Sequence, residues 1–201
     1  MWSLIQAAGW PIWPLIIASV VALALIFERL WSLRESAVAP PGMVDRVLAE
    51  YRIAGATPDF LARIAQQGPL GRLLAAGLAN IKSPRPVVKE AIEETGRVVT
   101  HDLDRFLTTL GTIAAMAPLL GLFGTVVGMI EIFGSQSATG SNPIQLAHGI
   151  SIALYNTAFG LIVAIPSMIF YRHFRGKIEG FLVEMEQQAI RLVDIAHGDR
   201  S

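Results

Sequence analysis

The sequence contains no cysteine, which excludes disulfide bonds, thiolate catalysis and cysteine-ligated metal sites in this chain. Charged residues are also scarce, at 16% of the 201 residues, against about 25% in an average soluble domain. The formal net charge is zero, so the chain offers no overall basic field, and we expect no nucleic-acid partner. Together with a hydrophobic content of 53%, the low charge is typical of a membrane protein.

No catalytic or metal-binding arrangement can be recognised in the sequence. The four histidines are scattered along the chain, and no glycine-rich phosphate-binding loop is present. The acidic run between Glu93 and Asp104 is typical of a solvated helix face rather than a metal site. We therefore expect no enzymatic activity, no cofactor and no metal ion.

Three long stretches lack Asp, Glu, Lys and Arg altogether, and each predicts a membrane-spanning helix. These stretches are residues 1–27, 106–130 and 132–171. About 20 consecutive apolar residues suffice for a helix to cross the hydrocarbon core of a bilayer. The predicted spans are Trp10–Phe27, Leu107–Ile130 and Ile150–Tyr171. The sequence therefore predicts an all-α membrane protein with three spans that contact the lipid bilayer.

The basic residues predict how these spans are oriented. Eleven of the 16 Lys and Arg residues lie in 28–105, the others follow Tyr171, and 134–149 contains none. Because basic residues favour the cytoplasmic side, we expect the N-terminus outside and the C-terminus inside. The predicted segments are an outer stub with the first span (1–27), an inner helical segment (28–105), the second span (106–133), a short outer loop (134–149), the third span (150–171) and an inner C-terminal helix (172–201). Ala37-Val38-Ala39 resembles a signal-peptidase site, but no basic residue precedes the first apolar stretch, so we expect this span to be retained.

The inner segment is predicted to contain short helices followed by a long one. Pro40-Pro41-Gly42 and Gly68-Pro69 interrupt the chain, and Thr57 followed by Pro58 is typical of a helix start. No proline lies between Pro86 and Pro118, which predicts one continuous helix from the inner segment through the second span. The third span is likewise expected to continue as an amphipathic helix into the C-terminal tail.

A few polar side chains interrupt the apolar second and third spans. Thr125 is the only hydroxyl residue of 117–133, and Asn156 and Thr157 are neighbours in the middle of the third span. Such groups need a hydrogen-bonding partner or water in the membrane. Because neighbours on a helix point about 100° apart, one of Asn156 and Thr157 is expected to face a pore and the other an adjacent helix. We name all three as candidate pore-lining residues; in the alternative interpretation they only bond to neighbouring helices.

Small residues recur at intervals of four in the same spans and predict close helix packing. Gly124 and Gly128 form a GxxxG pattern, which lets helix backbones approach closely in lipid. The residues assigned to this packing role are Gly121, Gly124, Gly128, Gly149, Ala153 and Gly160. Pro118 and Pro166 are predicted to kink their helices.

Neither of these spans contains a side chain that titrates near neutral pH. Leu107–Ile130 and Ile150–Tyr171 contain no Asp, Glu, Lys, Arg or His. Threonine can hydrogen-bond to a water wire but does not titrate at accessible pH. If the chain conducts protons, a second polypeptide is expected to supply the carboxylate.

The segments LLGLFGTVVGM (119–129) and GISIALYNTAFGLIVAIP (149–166) resemble the MotA/TolQ/ExbB proton-channel family, in particular its ExbB and TolQ branches. The resemblance implies a homopentameric ring in a bacterial inner membrane, with the N-terminus periplasmic and the C-terminus cytoplasmic. It also implies a single-span partner resembling ExbD or TolR that carries a transmembrane aspartate in the pore, and a TonB- or TolA-like protein that receives the motion.

The resemblance places the pore threonines of the family on Thr125 and Thr157. One position departs from the pattern, because Ile152 stands where the ExbB and TolQ branches usually have a glutamate. The expected function is a channel subunit that uses the proton motive force to energise an envelope process. A flagellar-type stator subunit and a passive scaffold for a partner helix are the alternatives.

Overall fold

The computed structural model describes residues 9–134 and 143–197, and helices make up nearly all of them. The eight helices of these residues are α1 (Ile12–Ser32), α2 (Glu35–Val38), α3 (Met43–Ala54), α4 (Pro58–Ala65), α5 (Pro69–Ala79), α6 (Arg85–Asp104), α7 (Leu107–Gly134) and α8 (Pro143–His197). No strand occurs in the described ranges. The helices divide into two compact units.

The three-helix unit consists of α1 up to Glu28, all of α7, and α8 up to His173. Its core is small and apolar, with the buried residues Leu15, Ala117, Val163 and Ala164. Large apolar side chains cover its outer surface, as at Ile17, Phe123 and Ile162. Such a surface suits hydrocarbon better than water.

The helices α1, α7 and α8 are each long and apolar enough to cross a membrane. Each of them includes most or all of one of the charge-free predicted spans. The prediction of an all-helical chain with three such helices is confirmed.

The short-helix unit comprises Arg29–Arg105 together with α8 from Phe174 onward. Its core is formed by aliphatic side chains of α5 and α6 and by Phe174 and Met185 of α8. The helix start predicted at Thr57 and the interruption predicted at Gly68-Pro69 are confirmed, because α4 begins at Pro58 and ends at Ala65, and α5 begins at Pro69. Gly68 has a φ of 119°, a conformation that suits glycine at this sharp entry into α5.

The predicted continuous helix from the inner segment through the second span is wrong. A turn at Arg105 and Phe106 separates α6 from α7. Arg29 is buried and donates a hydrogen bond of 2.7 Å to the carbonyl oxygen of Leu103, in the last turn of α6. This bond satisfies a carbonyl that the end of a helix would leave without a partner, and it joins residues 74 apart in sequence.

The third long helix is more extensive than its predicted span. The single helix α8 has 55 residues, which corresponds to about 80 Å. Its predicted continuation into the tail is therefore confirmed as helix. It begins at Pro143, so residues 143–149 are helical, although we expected them in the outer loop. Both α7 and α8 continue through Pro118 and Pro166, and the kinks at these prolines stay predictions.

Candidate functional site

Two glycines allow the backbones of α7 and α8 to approach each other closely. A β-carbon at Gly121 would lie 2.7 Å from the carbonyl oxygen of Asn156, and one at Gly160 would lie 2.6 Å from that of Ala117. Ordinary van der Waals contacts of a β-carbon are 3.4–4 Å. At both positions glycine is therefore required by the neighbouring backbone, since that backbone cannot move aside as a flexible side chain would.

The other small residues of the two helices also lie at this contact. A β-carbon at Gly128 would lie 3.1 Å from Cβ of Ala153, and one at Gly149 would lie 2.8 Å from Cδ1 of Ile132. The contact thus extends along both helices, and its closest part is at Gly121 and Gly160. Contacts of this kind depend on van der Waals packing, which drives helix association in lipid.

The two candidate threonines lie next to each other at this contact. The hydroxyl oxygens of Thr125 and Thr157 are 2.6 Å apart, although 32 positions separate the residues. The Thr125 hydroxyl is also 3.1 Å from the carbonyl oxygen of Ala153 and 3.2 Å from that of Gly121. Both threonine side chains are half-buried within the chain. Two of the three polar residues named from the sequence, Thr125 and Thr157, therefore form one hydroxyl pair.

Each threonine hydroxyl has a single proton to donate and can accept further bonds. If Thr157 donates to Thr125, then Thr125 donates to one of the two carbonyl oxygens. If Thr125 donates to Thr157 instead, the Thr157 proton is available to a third oxygen. A hydroxyl rotates without movement of the backbone, so the pair can change its direction of donation. It cannot gain or lose a charge, because neither group titrates at accessible pH.

Asn156 has a different environment from its neighbour Thr157. It is only 1% exposed, and its side chain lies against Gly124, where a β-carbon would be 2.8 Å from Cγ of Asn156. This placement favours the adjacent-helix interpretation for Asn156. A pore-lining role for this residue stays a prediction that its burial in the single chain does not support.

Ile152 lies on another side of α8 from the hydroxyl pair. It is half-buried and precedes Thr157 by five residues, a rotation of about 140° around the helix. The two carbonyl oxygens beside Thr125 are the partners that sequence reasoning missed. A signal was present for one of them, because Gly121 precedes Thr125 by four residues, the spacing at which a hydroxyl reaches a helix carbonyl, whereas the Ala153 carbonyl oxygen lies on the other helix.

Comparison with known proteins identifies the family of the chain. The sequence profile of the MotA/TolQ/ExbB proton channel family matches residues 65–187. The chain is 33% identical over 170 residues to the biopolymer transport protein exbB1 of Vibrio cholerae, covering 81% of this chain and 74% of that protein. It is 31% identical over 195 residues to the Tol-Pal system protein TolQ of Pseudomonas aeruginosa, covering 89% and 84%.

A third relative is the biopolymer transport protein ExbB of Aquifex aeolicus. It is 34% identical over 142 residues, which cover 69% of this chain and 88% of that protein. The profile match includes the hydroxyl pair and the glycines around it, and it covers more than half of the chain. The resemblance identified from the residues is thereby confirmed, and the chain belongs to the MotA/TolQ/ExbB proton channel family.

Proposed function

We propose that this chain is the ring-forming channel subunit of a motor driven by the proton motive force in a bacterial inner membrane. A homopentamer surrounds a pore lined by α7 and α8, with the N-terminus periplasmic and the C-terminus cytoplasmic. A single-span protein resembling ExbD or TolR occupies the pore, and the motion passes to a TonB- or TolA-like protein. The observation that carries the proposal is the contact between the Thr125 and Thr157 hydroxyls in otherwise apolar helices.

The partner supplies the titratable group, because Leu107–Ile130 and Ile150–Tyr171 contain no Asp, Glu, Lys, Arg or His. A carboxylate that enters the pore accepts a hydrogen bond from Thr157 when Thr125 donates to Thr157. A protonated carboxyl group donates to the pair when the hydroxyls are reversed. The pair therefore suits both protonation states of the partner, which a fixed donor would not. One proton that crosses 100 mV releases about 2.3 kcal/mol, so a few protons can drive a substantial rotation.

The test measures proton flux into vesicles that contain this chain together with its partner. Thr125→Val and Thr157→Val remove one hydroxyl each while they keep the branched shape. We expect either change to lower the flux by at least about tenfold, which corresponds to about 1.4 kcal/mol in the barrier. Assembly should persist, since an interhelical hydrogen bond in lipid contributes about 0.6 kcal/mol on average.

Two variants serve as controls. Thr125→Ser retains the hydroxyl and should keep most of the flux. Thr112→Val makes the same change on the same helix at an exposed threonine, whose hydroxyl donates to the Thr108 carbonyl oxygen at 2.9 Å. Flux that survives in both Thr125→Val and Thr157→Val would refute the proposal. Wild-type vesicles that conduct no protons with the partner present would favour the passive scaffold instead.

A further inference from the structure

The short-helix unit contains a cavity of about 300 Å³ between the start of α6 and the last turns of α8. Its volume is at the lower end of the range for small-molecule sites in proteins. The apolar side chains that line it are Pro86, Val88, Ile92, Ile190 and Val193. Water gains few hydrogen bonds on such a surface, so an apolar group fits the cavity better.

Three charged residues complete the lining, namely Arg85, Lys89 and Asp194. The side chain of Asp194 is only 8% exposed, and it accepts a hydrogen bond of 2.8 Å from Arg85. The side chains of Arg85 and Lys89 are 70% and 63% exposed. The carboxylate is thus buried and paired, and the exposed charge of the lining is positive.

Both cations have donors left for a further anion. Arg85 uses one guanidinium nitrogen for Asp194, and a guanidinium carries five N–H donors. Lys89 lies 3.4 Å from Glu93 on the same helix, a loose pair that leaves other ammonium protons available. Hydrogen bonds from such groups to a carboxylate are stronger than those between neutral groups.

We infer that this cavity binds a small amphipathic carboxylate. Its apolar chain lies on the aliphatic lining, and its carboxylate accepts hydrogen bonds from Arg85 and Lys89. A cation of the same shape would meet the same two positive side chains, and it should bind more weakly than the carboxylate although Asp194 and Glu93 lie beside them. A neutral apolar molecule would fill the cavity but leave both cations without a new partner. The inference rests on the short-helix unit alone and does not depend on the proposed channel function.

The test uses octanoate as the probe and the full chain in lipid nanodiscs, with isoleucine methyl groups labelled for NMR. We expect saturable shifts of the methyl signals of Ile92 and Ile190. The methyl signal of Ile17, on the exposed surface of the three-helix unit, should change only in proportion to the octanoate dissolved in the lipid. Octyltrimethylammonium, which has the same chain and a positive head group, should give no saturable shift at Ile92.

Two variants distinguish the contribution of the octanoate carboxylate from that of its apolar tail. Lys89→Gln should weaken octanoate binding by about two- to fivefold, as expected for one partly exposed charge pair. Ile190→Trp should fill the cavity and abolish the saturable shift of Ile92, and the thermal midpoint of this variant shows whether the unit still folds. Lys89→Gln removes no core contact, so it keeps the test decisive if Ile190→Trp does not fold.

Equal saturation by octanoate and octyltrimethylammonium would overturn the inference, because it would show that the positive lining selects nothing. Shifts that never saturate would also overturn it, as they would report only partition into the lipid. A third adverse result would come from rings assembled from differently labelled copies of the chain. In that result the methyl group of Ile92 shows an NMR contact with a second copy, and its signal does not respond to octanoate. The cavity would then be covered by a neighbouring subunit.

Discussion

Replacement of Gly160 by alanine tests whether the close contact between α7 and α8 holds the three-helix unit together. The added methyl group would lie 2.6 Å from the Ala117 carbonyl oxygen and 3.1 Å from Cα of Gly121. Ordinary contacts begin near 3.4 Å, so the helices must separate locally. Both neighbours are backbone atoms, which cannot move aside by a rotation about a side-chain bond.

The free-energy change combines two opposite effects. Insertion of a methyl group into a tight contact costs about 1–3 kcal/mol. Alanine regains up to about 1 kcal/mol of helix propensity relative to glycine. We therefore expect Gly160→Ala to destabilise the unit by about 0–2 kcal/mol relative to the wild type, and by about 1–3 kcal/mol relative to the same change at a helix glycine with open space around it. Separation of the helices should also lengthen the 2.6 Å contact between Thr125 and Thr157, and so lower the proton flux.

The assay is equilibrium unfolding of the purified chain in mixed detergent micelles, followed by circular dichroism, together with proton flux in vesicles. Gly180→Ala is the matched control, since it makes the same change in the same helix where nothing lies within 4 Å of the added carbon. We expect this control to be neutral or stabilised by up to about 1 kcal/mol. Equal stability of Gly160→Ala, Gly180→Ala and the wild type would refute the close-contact reasoning.

Two further predictions concern charges of the short-helix unit. Arg85→Gln leaves the buried carboxylate of Asp194 without its cation and should lower the free energy of unfolding by about 1–3 kcal/mol. The double variant with Asp194→Asn should recover part of this loss. If the losses of the two single variants simply add in thermal unfolding, the pairing is contradicted. Burial, followed by the negative charge of Glu93, raises the pKa of Glu186. Because the folded-state pKa lies above the unfolded one, this carboxyl group supports folding fully below the unfolded pKa, and its support is lost as the pH rises through the folded pKa. Glu186→Gln should therefore raise the free energy of unfolding near about pH 7 and leave it nearly unchanged near about pH 4. The same increase at both pH values in chemical denaturation would argue against a raised pKa of Glu186.

Much of the fold follows from local patterns in the sequence. The absence of charge over 106–130 and 132–171 identifies two of the long apolar helices, because charged side chains are costly in hydrocarbon. The starts of α4 and α5 follow from Pro58 and Pro69, whose fixed backbone angle suits the first turn of a helix. These features depend on a few neighbouring residues, so they can be predicted without knowledge of the packing.

Other features depend on contacts between distant residues. The turn between α6 and α7 contains neither proline nor glycine, and just before it Arg29 binds the carbonyl oxygen of Leu103, which lies 74 positions later in the sequence. Helix periodicity predicts that the side chains of Asn156 and Thr157 point in different directions, but it does not predict which of them is buried. The position of Gly124 on the facing helix decides this, because it leaves space for the Asn156 side chain.

The hydroxyl pair and the glycine contact raise one question that a comparison of variants can answer. Thr125 bonds across the helix contact to the carbonyl oxygen of Ala153 and to the hydroxyl of Thr157, so a change in packing also changes the hydrogen bonds of the pair. If the hydroxyls only hold the helices together, Thr125→Val and Gly160→Ala should lose flux in proportion to the stability that each loses. If they take part in proton transfer, Thr125→Val should lose far more flux for each kcal/mol of stability than Gly160→Ala. If both variants lose the same amount of flux for each kcal/mol of stability lost, the threonines act in packing, even if Thr125→Val lowers the flux strongly.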